Sequence, residues 1–148
     1  MTQQIVYHEI VYRSSDYDQT IRLRHEVLRA PWGKSIAEDD LSGEIDDFIY
    51  GAFDGARLVG MATLQNYRES LMRLRYMAVN SAYRGMGIGT HIARVLEEKA
   101  RDDGKAGIFL TARMSVVPFY EKLGYCISGE PFVPAHIAIE HVGMTLLF

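Results

Sequence analysis

A chain of 148 residues that is 48% hydrophobic and 24% charged has the make-up of a single globular domain with a real core, not of a disordered segment. Its formal net charge of −3 lacks the basic excess that supplies most nucleic-acid affinity, and its apolar runs fall well short of the roughly 20 residues that cross a bilayer. Neither nucleic acid nor a membrane is therefore an expected partner. Cys126 stands alone, so no internal disulfide can form, and no close Cys/His set suits a metal. The mixed stretch Met1 to Ile10 lacks the continuous apolar run of a signal peptide, and a reducing cytoplasm is the expected setting.

Ile5 to Tyr12 alternates loosely and is rich in Val, Ile and Tyr, which predicts a strand. Ser14, Ser15 and Asp16 offer N-caps for a helix through Ile21, Val27 and Leu28 that ends at Pro31. Pro31 to Asp47 shows little periodicity and predicts a loop, the expected seat of substrate-specific structure. Its acids (Glu38, Asp39, Asp40, Glu44, Asp46, Asp47) read first as a solvated loop with capping carboxylates; the alternative is a lure for a cationic substrate. Phe48 to Phe53 and Leu58 to Leu64 flank Asp54-Gly55 and predict an antiparallel hairpin. A third strand runs from Leu71 to Val79. Ile88, Ile92, Val95, Leu96 and Ala100 then follow helical spacing up to Asp102 or Asp103. Gly107 to Thr111 predicts a strand, Ser115 to Leu123 a short helix closed by Gly124, and Tyr125 to Ser128 another strand. The segment His136 to Phe148 carries the last strand. A helix between two strands makes a parallel crossover, and the hairpins make the sheet mixed, so the fold class is α/β or α+β with helices on a central sheet.

Arg84-Gly85-Met86-Gly87-Ile88-Gly89-Thr90 lies between the third strand and the long helix. Glycines there let a ligand approach N–H groups that the first turn of a helix cannot satisfy, and those donors favour a pyrophosphate. The spacing is neither the G-x-G-x-x-G of a dinucleotide site nor a Walker A loop. Arg84 to Gly89 does match R-x-x-G-x-G, the signature of the GNAT superfamily of N-acetyltransferases. Val117-Pro118-Phe119-Tyr120-Glu121-Lys122-Leu123-Gly124-Tyr125 resembles that superfamily's second signature, F-Y-x-k-x-G-F.

The resemblance implies acetyl-CoA as cosubstrate, held by backbone N–H groups of Arg84, Gly85, Met86, Gly87, Ile88, Gly89 and Thr90. It implies that the pantetheine arm pairs with a splayed strand end at Met77, Ala78 and Val79. It assigns Tyr120 as the acid that protonates the leaving thiolate, and brings Lys122 towards the outer phosphate. An Asn common in the superfamily is replaced by Arg113, with Ser115 as a substitute contact to pantetheine. The implied reaction is direct attack of a primary amine, on a small molecule or a peptide, upon the thioester. Backbone N–H near Met77 to Val79 would steady the oxyanion, and a phenol of ordinary pKa about 10 would give an alkaline limb to the rate. A non-catalytic acyl-CoA sensor is the alternative.

The base stays unassigned among Glu44, Glu69, Glu140 and His141, each of which reads first as solvated or structurally paired. Cys126 reads as a small buried hydrophobe, not a nucleophile. His136 and His141, five apart on a regular strand, would face opposite ways and share no metal. Trp32 reads equally as a core anchor or a wall of the acceptor site. Oligomeric state is left open, a homodimer being one option.

Overall fold

The computed structural model describes residues 4–148; residues 1–3, part of the stretch read for an export signal, lie outside it. Seven strands form one sheet: β1 (Ile5–Glu9), β2 (Phe48–Asp54), β3 (Arg57–Arg68), β4 (Leu71–Val79), β5 (Gly107–Arg113), β6 (Cys126–Ile127) and β7 (His141–Leu147). The order is β1-β2-β3-β4-β5-β7-β6, with only β4 and β5 parallel. Three helices flank it: α1 (Ser15–Arg24), α2 (Ile88–Asp102) and α3 (Val117–Lys122). This is the mixed sheet with a β-helix-β crossover that the patterning predicts. No helix among the described residues is long and apolar enough to cross a membrane.

The two faces of the sheet bury separate cores. On one, Ile88, Ile92, Leu96 and Ala100 of α2, spaced four apart and at most 2% exposed, pack with Val59, Leu64, Leu74 and Ile108. Burying each large aliphatic side chain contributes about 1.5–3 kcal/mol. On the other, Tyr17 and Leu23 of α1 pack with Ile49, Phe53 and Met61.

Helix α1 starts where the capping residues predict, with the Ser14 hydroxyl accepting from Tyr17 N–H. Instead of running evenly to Pro31, the chain widens into a π turn at His25–Arg29 and tightens into a 3₁₀ turn at Ala30–Trp32. Pro31 has no N–H to continue the ladder. Helix α3 is shorter than predicted, because a 3₁₀ turn at Met114–Val116 takes its first residues.

The acid cluster is solvated only in part: Glu38, Asp40 and Asp46 are exposed as the first reading expects, whereas Glu44 and Asp39 are paired within the chain. Glu44 is 5% exposed and accepts two hydrogen bonds from the Arg24 guanidinium at 2.7 and 2.8 Å and one from the Tyr17 hydroxyl at 2.6 Å. Asp39 accepts from Arg29 at 2.7 and 3.0 Å and from the Tyr76 hydroxyl at 2.7 Å. These carboxylates tie the Pro31 to Asp47 loop to α1, the π turn and β4. Asp40 merely caps Ser42.

Cys126 is also corrected: it is exposed, because β6 is a two-residue strand at the sheet edge. The last strand begins only at His141, after an irregular stretch that holds Pro131 and Pro134. His136 therefore sits in a loop, and its ring lies 6.3 Å from that of His141, not on an opposite face.

Candidate active site

Strand β4 pairs with β5 only at Leu71↔Gly107, Met72↔Ile108 and Arg73↔Phe109; beyond Arg73 the two parallel strands part. A bulge in β4 accompanies the parting. The β3 register jumps from Thr63↔Arg75 to Met61↔Ala78, leaving Tyr76 and Met77 unmatched, and Tyr76 has φ +56°. For an aromatic residue that conformation costs about 1–3 kcal/mol, so its surroundings must hold it. Tyr76 is held by the Asp39 hydrogen bond and by Arg24 and Arg75 over its ring at 4.6 and 4.8 Å. The bulge also resets the alternation. Arg73 and Arg75 face the α1 side, whereas Met77 and Val79 rejoin the α2 core.

The parted strands border a cavity of about 190 Å³ lined by residues from elements on both faces of the sheet. Leu74, Met77, Leu110, Ala112, Phe119 and Tyr120 line it towards α3. Towards α1 the lining is polar: Arg29, Arg73, Arg75, Arg113, His136 and His141 surround the opening, with Trp32 beside them. Trp32 is thus a wall of the cavity, 40% exposed, with the Arg113 guanidinium 5.4 Å above its ring.

Tyr120 is 6% exposed, and its ring meets Phe119 and Tyr125 edge-on at 4.9 and 5.6 Å. Its hydroxyl has no hydrogen-bond partner among the described residues. Burial pushes its pKa well above the ordinary phenol value, against the opposing pull of Arg113. The phenol therefore keeps its proton throughout the working range of most enzymes.

The glycine loop adjoins the α3 side. Gly85 and Gly87 have φ +80° and +78°, Gly87 caps α2, and a Cβ on either would meet nothing within 4 Å. The concavity is open above unpaired helix N–H groups, a fit for a pyrophosphate. A Cβ on Gly89 would lie 3.2 Å from the Phe119 ring, so that glycine serves helix packing as well. Ile88 is buried, while Arg84, Met86 and Thr90 are exposed around the loop. Ser115 is exposed in the 3₁₀ turn after β5, and Lys122 is exposed in the last turn of α3.

Of the candidate bases, His141 alone lines the cavity. Its Nδ1 lies 2.7 Å from the Ile139 carbonyl; donation there leaves Nε2 as the basic nitrogen. Glu44 is spent on Arg24, and Glu69 and Glu140 are exposed and outside the lining. Sequence reading missed Arg73, Arg75, Tyr76 and the cavity position of His136. Two arginines alternating with apolar residues in a central strand were the available signal for the first pair.

A family model described as the acetyltransferase (GNAT) domain matches residues 11–148. The chain is 33% identical over 107 residues to the uncharacterized N-acetyltransferase YjcF of Bacillus subtilis, covering 72% of this chain and 73% of that one. Its fold is similar to that of Escherichia coli ElaA, with TM-score 0.81, 18% identity and coverage of 97% and 99% of the two chains. It is similar also to that of an aminoglycoside 6'-N-acetyltransferase complexed with coenzyme A, with TM-score 0.74, 22% identity and 96% of each chain covered. The chain belongs to the GNAT acetyltransferase family.

Proposed function

We propose that this protein transfers an acetyl group from acetyl-CoA to a primary amine by direct attack. The observation that carries the proposal is the cavity between β4 and β5, with the unpartnered Tyr120 hydroxyl in one wall and the glycine loop alongside. Backbone N–H groups of Arg84 to Thr90 hold the pyrophosphate, and the pantetheine arm lies along the edge of β4 at Met77, Ala78 and Val79. Ser115 and Lys122 serve as outer contacts to the coenzyme.

The amine nitrogen bonds to the thioester carbon and gives up a proton to His141 Nε2. Unmatched backbone N–H at the β4 bulge donates to the oxyanion. As the C–S bond breaks, Tyr120 gives its proton to sulfur and is reprotonated from solvent after coenzyme A leaves. The raised pKa of Tyr120 keeps it loaded for this step.

Calorimetry with acetyl-CoA tests the binding half, and thiol release with a panel of amines tests the transfer. Acetyl-CoA binding with no thiol release from any amine would refute transfer and leave a sensor of the coenzyme. Absence of acetyl-CoA binding would refute both.

A further inference from the structure

The two sides of the cavity lining differ in chemistry. The α3 side is apolar, whereas the α1 side presents four arginines and no carboxylate in its lining. Arg29 is neutralised there by Asp39, in a pair whose side chains are 9% and 11% exposed. Arg73, Arg75 and Arg113 take part in no ion pair among the described residues. The charge of Asp47 reaches Arg75, but that carboxylate lies outside the cavity lining.

Arg73 is the more telling of the three. Its Nε is buried without a hydrogen-bond partner, and Arg75 stands two residues on, along the same strand face. Burial and the Arg75 charge both weaken the hold of Arg73 on its proton. An arginine does not escape such a site by deprotonating. A buried guanidinium donor left unmade is costly, and so is its repulsion with a neighbouring guanidinium. An anion in the cavity that both residues line offsets that repulsion and supplies acceptors to the guanidinium groups. A polycationic acceptor adds to the repulsion. The cavity volume of about 190 Å³ further favours a small molecule over a folded chain segment.

We infer that the acceptor is a small amine that also bears an anionic group, a carboxylate or a phosphate, held by Arg73 and Arg75 with Arg113 at the rim. The anionic end then docks on the α1 side of β4 and aims the amine through the parted strands. This deepens the transferase reading and rests on it for the amine, but the anion site can be measured without turnover.

The test uses protein saturated with coenzyme A, so that the pantetheine side is filled. Glycine, β-alanine and the L-amino acids are titrated calorimetrically beside their carboxamides, phosphoethanolamine beside ethanolamine, and putrescine as the cationic control. At least one anionic amine should bind, with its neutral counterpart about tenfold weaker or worse. Whether the carboxylate or the phosphate arm responds identifies the group. Arg73→Gln should weaken that ligand by about ten- to a hundredfold, and Arg73→Lys by less, because a point charge replaces a fork. If Arg73→Gln does not fold, Arg75→Gln carries the same comparison. The inference is overturned if no anionic amine binds, if carboxamides or putrescine bind as tightly, or if the folded glutamine variant keeps wild-type affinity. Anionic amines that bind but release no thiol from acetyl-CoA would refute transfer while leaving the anion site standing.

Discussion

Replacing Tyr120 by Phe removes one hydroxyl from a ring that is 6% exposed and wedged edge-on between Phe119 and Tyr125. The hydroxyl has no partner among the described residues, so the substitution breaks no hydrogen bond within the chain. The hydroxyl borders the cavity and is not among the buried atoms left without a partner, so removing it recovers no desolvation penalty, and stability should change by less than about 1 kcal/mol, a Tm shift within about 2–4 °C. Acetyl-CoA affinity should change little. If proton donation to sulfur limits the rate, kcat should fall by about 10²–10⁴-fold, which is about 3–5 kcal/mol of barrier. The assay is single-turnover thiol release, where slow product release cannot mask chemistry.

The pH profile separates the structure from the sequence expectation. An ordinary phenol would bring an alkaline limb near pH 10, but burial raises the pKa of Tyr120 beyond that. The neutral, donating form should persist, and the wild-type rate should show no loss through Tyr120 up to about pH 10. A wild-type single-turnover rate in Tyr120→Phe would refute its role as the acid. A limb below about pH 10 that vanishes in the Phe variant would refute the burial argument.

Glu44→Ala strips the partner from a fully buried Arg24, and the uncompensated charge should cost about 3–5 kcal/mol, lowering Tm by roughly 10–15 °C in thermal denaturation. An unchanged Tm would mean that the Arg24 pair does not anchor the loop. Asp47 is raised from 3.8 to about 6, first by burial and then by Glu44, so the folded state binds more protons than the unfolded one between those values. Its ionisation therefore removes stability as pH rises through about 6. Asp47→Asn should raise Tm by about 2–4 °C at pH 7, about 1 kcal/mol once solvent screening is allowed for, and the gain should vanish as pH falls towards 4. A gain that persists at acid pH would contradict the linkage. Gly87→Ala should cost about 1–2 kcal/mol, because φ is +78°, and should weaken acetyl-CoA binding in calorimetry. Wild-type affinity in the folded variant would remove the loop from the coenzyme site. The φ of Gly87 and the Phe119 contact of Gly89 also mean that valine at either position perturbs the fold, so binding and stability must be measured together.

The amino-acid sequence alone determined what rests on local rules. The alternation of Leu71 to Val79 and the four-residue spacing of Ile88, Ile92 and Leu96 each identify an element whose buried face is written in its own period. Arg84 to Thr90 could be read for the same reason, since a glycine loop at a helix start is one contiguous stretch of chain. Only the tertiary structure decided which side chains meet across long separations. Glu44 reads as one loop acid among several until Arg24, 20 residues earlier, is found buried against it. On a regular strand His136 and His141 would face opposite ways, but the strand starts only at His141 and the two rings lie 6.3 Å apart. Nothing local marks Tyr76 for φ +56°, because that strain is held by Asp39 from a distant loop. The arginines of β4 likewise gain a site only where β5 parts from them, and strand pairing is a property of the whole sheet.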